Sequence, residues 1–508
     1  MKALFLDWLV PIVLLINMSA CSVLPQSISR DWGEGTPDFA PAQPLGNVNG
    51  QYDHWQSIGR VTVENGMTCT GSLIDTRQTV DQRDSPAYVL TSGHCTNLDS
   101  NVVLVDEDAT GKVTFNFFAD TIEFTKSYPV KRINWSTIRG QDISILQLDR
   151  TIGQVISDGI QPLKLATSLP AESGVLIVGA PLQRHIQRMA CPREHSTGIV
   201  EGLWAWQDQL SNRCLDVMSG ISGSPVLGRF NNEILAVVGT TTQGSGHSRC
   251  SSGAPCEVMD GKVSKKLNTN YSTSAIGLQA CFNQGRFDPL NPSCSVGPNF
   301  KFSATPPVNT FIKLERDHSG AVIPWLWTQP FAVDSPYYRY KFTRTINECG
   351  VPTGYSEAIS SNTSGENKLS RELHDGAGMY LLCIMGQEHK IGAPGQWDAR
   401  NARVYWRWML EGPSQLTPIY SISQNQNDPS EYTVRAFPVS PDLDAYSYQY
   451  KVVSREKTDC LDQQGYKRVQ PSIGVFTVDV TNGPVKVCLK TNDLAGNPSP
   501  IVDFQLPE

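Results

Sequence analysis

Twelve cysteines follow Cys21, and their spacing constrains the fold of this chain more than any other feature. The 508 residues hold 13 cysteines, so those beyond Cys21 form an even set, as expected of a disulfide framework closed in an oxidising compartment. Pairing sequence neighbours gives Cys69 with Cys95, Cys191 with Cys214, Cys250 with Cys256, Cys281 with Cys294, Cys349 with Cys383, and Cys460 with Cys488. Each unstrained bridge contributes about 2–4 kcal/mol. No two cysteines form a Cys-x-x-Cys pair and no His-Glu-x-x-His occurs, so neither a metal nor another cofactor is expected.

The amino-terminal residues point to the same compartment. Lys2 precedes an apolar run from Leu4 to Ile16, too short for a stable membrane span and typical of a signal peptide over residues 1–20. The following Met18-Ser19-Ala20-Cys21 resembles the bacterial lipobox, which implies cleavage before Cys21, lipidation of that residue and a place in the cell envelope. The alternative is ordinary secretion with a free Cys21. Residues 21–50 carry Pro25, Pro37, Pro41 and Pro44 among polar residues and read as a tether. No later segment is long and apolar enough to span a bilayer, so the only membrane contact expected is through this end.

Charge excludes one class of partner. Lys and Arg total 42 against 49 Asp and Glu, a net charge of −7, which gives no basic footprint for nucleic acid. Charged residues are only 18%, while 41 Gly, 33 Pro and 11 Trp favour an all-β, turn-rich protein. Apolar runs bounded by turn residues predict strands at Ser57–Val63, Tyr88–Thr91, Ile143–Leu148, Val175–Val178 and Leu235–Thr240, within a first domain of residues 51–280. Cys281 and Cys294 enclose a Pro- and Asn-rich turn, read as a stapled linker over 281–302. A weak repeat follows. Tyr338-Arg339-Tyr340-Lys341-Phe342 leads to Cys349 and Cys383, and Tyr448-Gln449-Tyr450-Lys451-Val452 leads to Cys460 and Cys488, which predicts two β-sandwich modules at 303–412 and 413–508. The final Asn492-Asp493-Leu494-Ala495-Gly496-Asn497 resembles the closing loop of bacterial immunoglobulin-like repeats. Such modules serve as spacers or bind a surface or protein ligand, and Trp325, Trp327, Trp406 and Trp408 are expected in their cores.

Three segments of the first domain carry chemistry. Val89-Leu90-Thr91-Ser92-Gly93-His94-Cys95 places a histidine beside a bridged cysteine, Gln141-Asp142-Ile143 puts an acid at the mouth of an apolar strand, and Ser219-Gly220-Ile221-Ser222-Gly223-Ser224-Pro225 holds a serine in a glycine-lined turn. Over about residues 51 to 275 these motifs resemble the chymotrypsin-like (trypsin-like) serine peptidases, whose order is also His, Asp, Ser; subtilisins and α/β-hydrolases use other orders. The resemblance implies a double β-barrel and a serine endopeptidase acting on protein or peptide substrates. It makes His94 the general base, Asp142 its orienting acid with Asp120 as competitor, and Ser222 the nucleophile, with Gly220 and Ser222 N–H groups as the oxyanion hole. His185 and His195 read as loop histidines.

The chain departs from the trypsin pattern in two places. It lacks an Ile-Val-Gly-Gly start, and Ile221 stands where zymogens keep an Asp, so the chain looks closer to the bacterial glutamyl-endopeptidase-like branch, with Trp55–Val61 entering the barrel. Asp216, six residues before Ser222, matches the base of the primary specificity pocket, where trypsin attracts Arg or Lys and the bacterial branch often keeps an Asp without that preference, so the resemblance leaves specificity open, with Thr240, Thr241 and Thr242 as pocket wall. The competing function is a noncatalytic surface adhesin that retains the barrels as scaffold and binds through its carboxy-terminal modules.

Overall fold

The computed structural model describes residues 30–64, 66–99, 102–245, 250–296, 300–303, 311–363, 365–414, 417–437, 447–456, 460–469 and 474–506. The expected signal peptide and Cys21 lie outside the described residues. Among these residues no helix is long and apolar enough to cross a membrane.

The protein is all-β. Six strands close into a barrel in the order Ile58–Val63, Thr68–Ile74, Pro86–Thr91, Ile143–Thr151, Lys126–Thr137 and Val103–Phe115. Alternation decides its inside: in Ile58–Val63, Val61 and Val63 are buried while Thr62 is exposed. Val61, Leu73, Val89, Val113, Phe115 and Leu146 fill the interior. A second, nine-stranded sheet runs through Trp204–Asn212, Asn270–Ser274, Ile234–Thr241, Pro225–Gly228, Gly174–Gly179 and Gln187–Glu201. The last of these also pairs with Trp204–Asn212, which closes this sheet on itself. Trp55, Ile58, Leu90 and Ile145 meet Leu176, Val178, Leu227 and Val237 in one cluster that joins the two barrels. Together they form a chymotrypsin-like double barrel.

Residues 30–50, expected as tether, are held against the second barrel. Arg229 makes a bidentate pair with Asp31, and the buried Arg188 guanidinium donates to the Trp32 carbonyl, Thr36 Oγ1 and Gln43 Oε1. Gln43–Pro44 adds a short strand beside Gln187 and Arg188. Proline and polar composition suggested little burial, but two arginines of the barrel capture these polar groups, and Asp31 is pulled down to about 2, first by its hydrogen bond with Arg229. The 281–302 segment, expected as a stapled linker, also packs on the barrels. Cys281, Phe282, Cys294 and Val296 join the inter-barrel cluster, and the Phe287 N–H donates to the Tyr88 hydroxyl on the first barrel.

Two pairs of sheets follow. Phe302–Ser303, Trp325–Val333 and Asn367–Leu373 form one, opposed by a five-stranded sheet that includes Tyr337–Thr343, Gly378–Gln387 and Arg403–Leu410. The next pair has three strands and four strands. The repeat is visible in the register: Lys341 lies opposite Cys383 and Lys451 opposite Cys488. In each copy a tyrosine hydroxyl, of Tyr355 or Tyr466, donates to the carbonyl of the first cysteine at 2.6 or 2.8 Å. Trp327, Trp406 and Trp408 are buried, and Trp325 is half-buried.

The first of these modules shares a core with the second barrel. Val200, Ala205, Cys256 and Val258 pack with Ile346, Met379, Trp406 and Trp408. Arg400 pairs with Asp208 at 2.8 Å, and the Asp208 N–H donates to Asn347 Oδ1. The final module has a separate core around Val434, Tyr448, Val478 and Leu489.

Candidate active site

The strand Pro86–Thr91 ends at Ser92, and a tight turn over Gly93–Cys95 presents His94. Cys95 is bridged to Cys69 on the adjacent strand, with S–S 2.04 Å, which fixes this turn to the barrel wall. Gly93 is required by packing: a Cβ there would lie 1.9 Å from the Thr137 carbonyl oxygen. Asp142 stands at the entry of Ile143–Thr151 and is fully buried. Its carboxylate accepts the His94 backbone N–H at 2.9 Å and meets His94 Nδ1 at 2.7 Å. A proton on Nδ1 donates to that carboxylate and leaves Nε2 as the basic nitrogen. Burial alone would lower the His94 pKa, but the charge and hydrogen bond of Asp142, with a smaller contribution from Glu201, raise it above 6.5.

Ser222 comes from the other barrel. Its turn is latched by Thr70, whose N–H donates to the Ser222 carbonyl at 2.8 Å and whose hydroxyl donates to the Gly220 carbonyl at 2.8 Å. Gly220 has φ +92°, and a Cβ there would sit 2.4 Å from the Leu182 nitrogen, so only glycine fits. The N–H groups of Gly220 and Ser222 have no backbone partner among the described residues. The Ser222 hydroxyl lies 3.5 Å from the Gly239 carbonyl.

A cleft of about 720 Å³ brings His94 and Ser222 together with Glu201, Trp204, Trp206 and Asp216. Thr240 and Thr241 line it, as does Gly239, against which Asp142 packs. Asp216 reaches the cleft with one carboxylate oxygen already accepting the Ala42 N–H at 2.7 Å. Asp120 is elsewhere, accepting the N–H groups of Asn47 and Val48. His185 packs on Phe117, and His195 is exposed beside Glu257. The sulfurs of Cys69 and Cys95 near His94 are joined to each other, so they offer no thiolate for a metal.

Three participants escaped the sequence. Thr70 lies beside Cys69 in a strand and has no signature of its contact 150 positions away. Gln141, next to Asp142, donates to Asn401 Oδ1 at 2.7 Å and to the Ser295 carbonyl, so the first carboxy-terminal module backs the acid-bearing loop. Glu201, buried in the cleft wall, looks in sequence like any acid at a strand end.

The local pairings are present as six disulfides: Cys69–Cys95, Cys191–Cys214, Cys250–Cys256, Cys281–Cys294, Cys349–Cys383 and Cys460–Cys488. Residues 45–259 match the trypsin family. Among solved structures the chain is similar to a thermostable serine protease from an extremophilic microorganism, at 14% identity over 44% of this chain and 92% of that one, TM-score 0.29. It is also similar to the protease Anisep from Arthrobacter nicotinovorans, at 13% identity over 43% of this chain and 90% of that one, TM-score 0.27. Human heparin binding protein matches at 12% identity over 47% of this chain and 92% of that one, TM-score 0.28. No curated protein sequence matches the chain. Over residues 45–259, therefore, the chain carries a trypsin-like serine protease domain.

Proposed function

We propose that the protein is an active serine endopeptidase that cleaves peptide bonds through His94, Asp142 and Ser222, and that it works outside the cytoplasm, in a bacterial cell envelope where Cys21 is lipidated. The observation that carries the catalytic reading is the paired contact of the Asp142 carboxylate with His94 Nδ1 and the His94 N–H, in a cleft shared with Ser222. Export is supported by the bonding of all twelve cysteines beyond Cys21 into disulfides, which persist in oxidising compartments.

In this reading the Ser222 hydroxyl turns from Gly239 toward His94 Nε2 and gives up its proton as Oγ attacks the scissile carbonyl carbon. Asp142 stabilises the imidazolium. The carbonyl oxygen gathers negative charge and accepts the N–H groups of Gly220 and Ser222, where the loss of one donor typically costs about 3 kcal/mol. His94 then protonates the departing amine, and water, activated by the same nitrogen, hydrolyses the acyl-enzyme. Proteolytic activation through a new amino terminus has no counterpart here: Ile221 occupies the acidic position, is fully buried and cannot form the ion pair. The immunoglobulin-like modules would hold the peptidase near its target.

A fluorophosphonate probe tests the reading. It should label the folded, disulfide-intact protein at Ser222, and Ser222→Ala should abolish both labelling and peptide cleavage. Absence of labelling in the wild type would favour a noncatalytic scaffold.

A further inference from the structure

The second barrel carries the Gly220 N–H, but the first barrel fastens the loop behind it. Gly220 has φ +92° and no side chain to resist rotation, so the peptides on either side of it are held only by their neighbours. One neighbour is Leu182, whose N–H donates to the Ser219 carbonyl at 2.9 Å. The Ser219–Gly220 peptide is trans, and in a trans peptide the carbonyl and the N–H point in opposite directions, so this bond turns the Gly220 N–H away from Leu182. The other neighbour is the Thr70 hydroxyl on the Gly220 carbonyl. If the Leu182 contact were lost, the Ser219–Gly220 peptide could rotate while His94, Asp142 and Ser222 kept their places.

Leu182 sits in a tight turn closed by the Arg184 N–H on the Pro181 carbonyl at 3.0 Å. Arg60, on the first barrel, grips this turn: its Nη2 donates to the Pro181 carbonyl at 2.7 Å and to the Arg184 carbonyl at 2.9 Å. Thr70, directly opposite Arg60 on the adjacent strand, accepts the Ala180 N–H on its hydroxyl at 3.0 Å. The setting of Arg60 is uncommon for a cation. The guanidinium lies over the Phe117 ring, 4.5 Å from its centre, and Nε is buried without a hydrogen-bond partner. Burial lowers its pKa and, among the described residues, no carboxylate opposes that shift. A charge placed there costs solvation, and the groups that receive its hydrogen bonds are two carbonyls of that one turn.

We propose that Arg60 is a positioning residue for the oxyanion hole. By holding the turn of residues 181–184 it keeps the Leu182 N–H on the Ser219 carbonyl, and so keeps the Gly220 N–H available to the substrate oxygen; Thr70 assists from the next strand. This inference rests on the peptidase reading, in which that N–H receives the charge developing on the carbonyl oxygen. The donor is then assembled across the barrel interface, as the triad is, and a rotated Ser219–Gly220 peptide costs turnover without disturbing the triad.

The test uses an N-acetylated peptide p-nitroanilide selected from a library and the trifluoromethyl ketone of the same sequence. Ser222 Oγ adds to the ketone carbon, the hydroxyl proton passes to His94, and the carbonyl oxygen is left as an oxyanion in the hole. Arg60→Met keeps an unbranched stem beside Phe117 and removes both hydrogen bonds. It should lower kcat about tenfold with KM within about twofold, and weaken the ketone by a similar factor. Arg60→Lys, which keeps a cationic donor, should recover most of that loss. Thr70→Val removes the hydroxyl at nearly constant volume and should give the same signature, so the test does not depend on one variant folding. In Arg60→Met the rise of kcat/KM with pH should stay where the wild type has it, because the contact of Asp142 with His94 is untouched. An active wild type whose kcat and ketone affinity survive Arg60→Met, with only the melting temperature lowered, confines Arg60 to stability and overturns the inference. A loss that falls on KM alone, or a shifted pH limb, also overturns it. A wild type that neither cleaves the anilide nor binds the ketone sinks the peptidase reading, and the inference with it.

Discussion

The strand pairs Tyr337–Thr343 with Gly378–Gln387 and Ser447–Ser454 with Val485–Asn492 share a register, a disulfide and a tyrosine latched to its first cysteine, yet they stand in opposite relations to the peptidase. The first copy turns Ile346, Met379, Trp406 and Trp408 toward the second barrel and shares its core. Among the described residues, the second gathers its buried apolar residues into a core of its own and meets its neighbour through polar groups such as Asn497 Nδ2, which donates to the Leu410 carbonyl. A common scaffold therefore leaves the role of a module open. The residues on its outer faces make one copy a structural extension of the enzyme and the other an appendage.

The largest expected effect comes from truncation. Ending the chain after residue 414 removes the appendage and should leave hydrolysis of a small peptide within about twofold, whereas ending it after residue 296 uncovers Val200, Val258 and their neighbours, each worth about 1.5–3 kcal/mol when buried, and should abolish soluble activity. Equal losses from the two truncations would erase the distinction. Disulfides sharpen it. Replacing both Cys349 and Cys383 by alanine should lower the main calorimetric transition, while replacing both Cys460 and Cys488 should move only a separate, earlier one, each at a cost of about 2–5 kcal/mol.

Smaller effects follow from the contact behind the acid-bearing loop. Asn401→Ala deprives Gln141 of the shorter of its two hydrogen bonds, leaving that to the Ser295 carbonyl, and should reduce kcat about fivefold with little change in KM, as expected of a positioning residue worth about 1 kcal/mol; Asn497→Ala should leave turnover alone. The smallest effect is on pH dependence. His94 is useless as a base when protonated, and its pKa is raised above 6.5 by Asp142, so kcat/KM should rise with pH through that elevated value. Loosening the loop in Asn401→Ala weakens the hold of Asp142 on the imidazolium and should move this acid limb a few tenths of a unit toward lower pH. A limb that stays fixed would confine the module to a stabilising role.

Local features were legible in the sequence and tertiary choices were not. Short apolar runs marked strands such as Ile143–Leu148, which continues to Thr151, and a cysteine after His94 announced a fastened turn, because both depend on neighbours along the chain. The same signal marks Ile346 and Trp406 as apolar without saying what buries them, so the shared core stayed hidden. Arg188 and Arg229 capture residues 31–43 across more than 140 positions, a contact no local composition encodes. Glu201 was invisible for the same reason: the His94 imidazole whose charge it favours reaches it from the other barrel.

The clamp of Asp31 by Arg229 also sets a mechanical limit. If the chain is fastened at Cys21, as proposed, backbone geometry allows no more than about 30 Å between that residue and Arg30, against about 100 Å between Cys21 and residue 50. On the lipidation we propose, the cleft would then stay close to the lipid, and substrates would have to come to it.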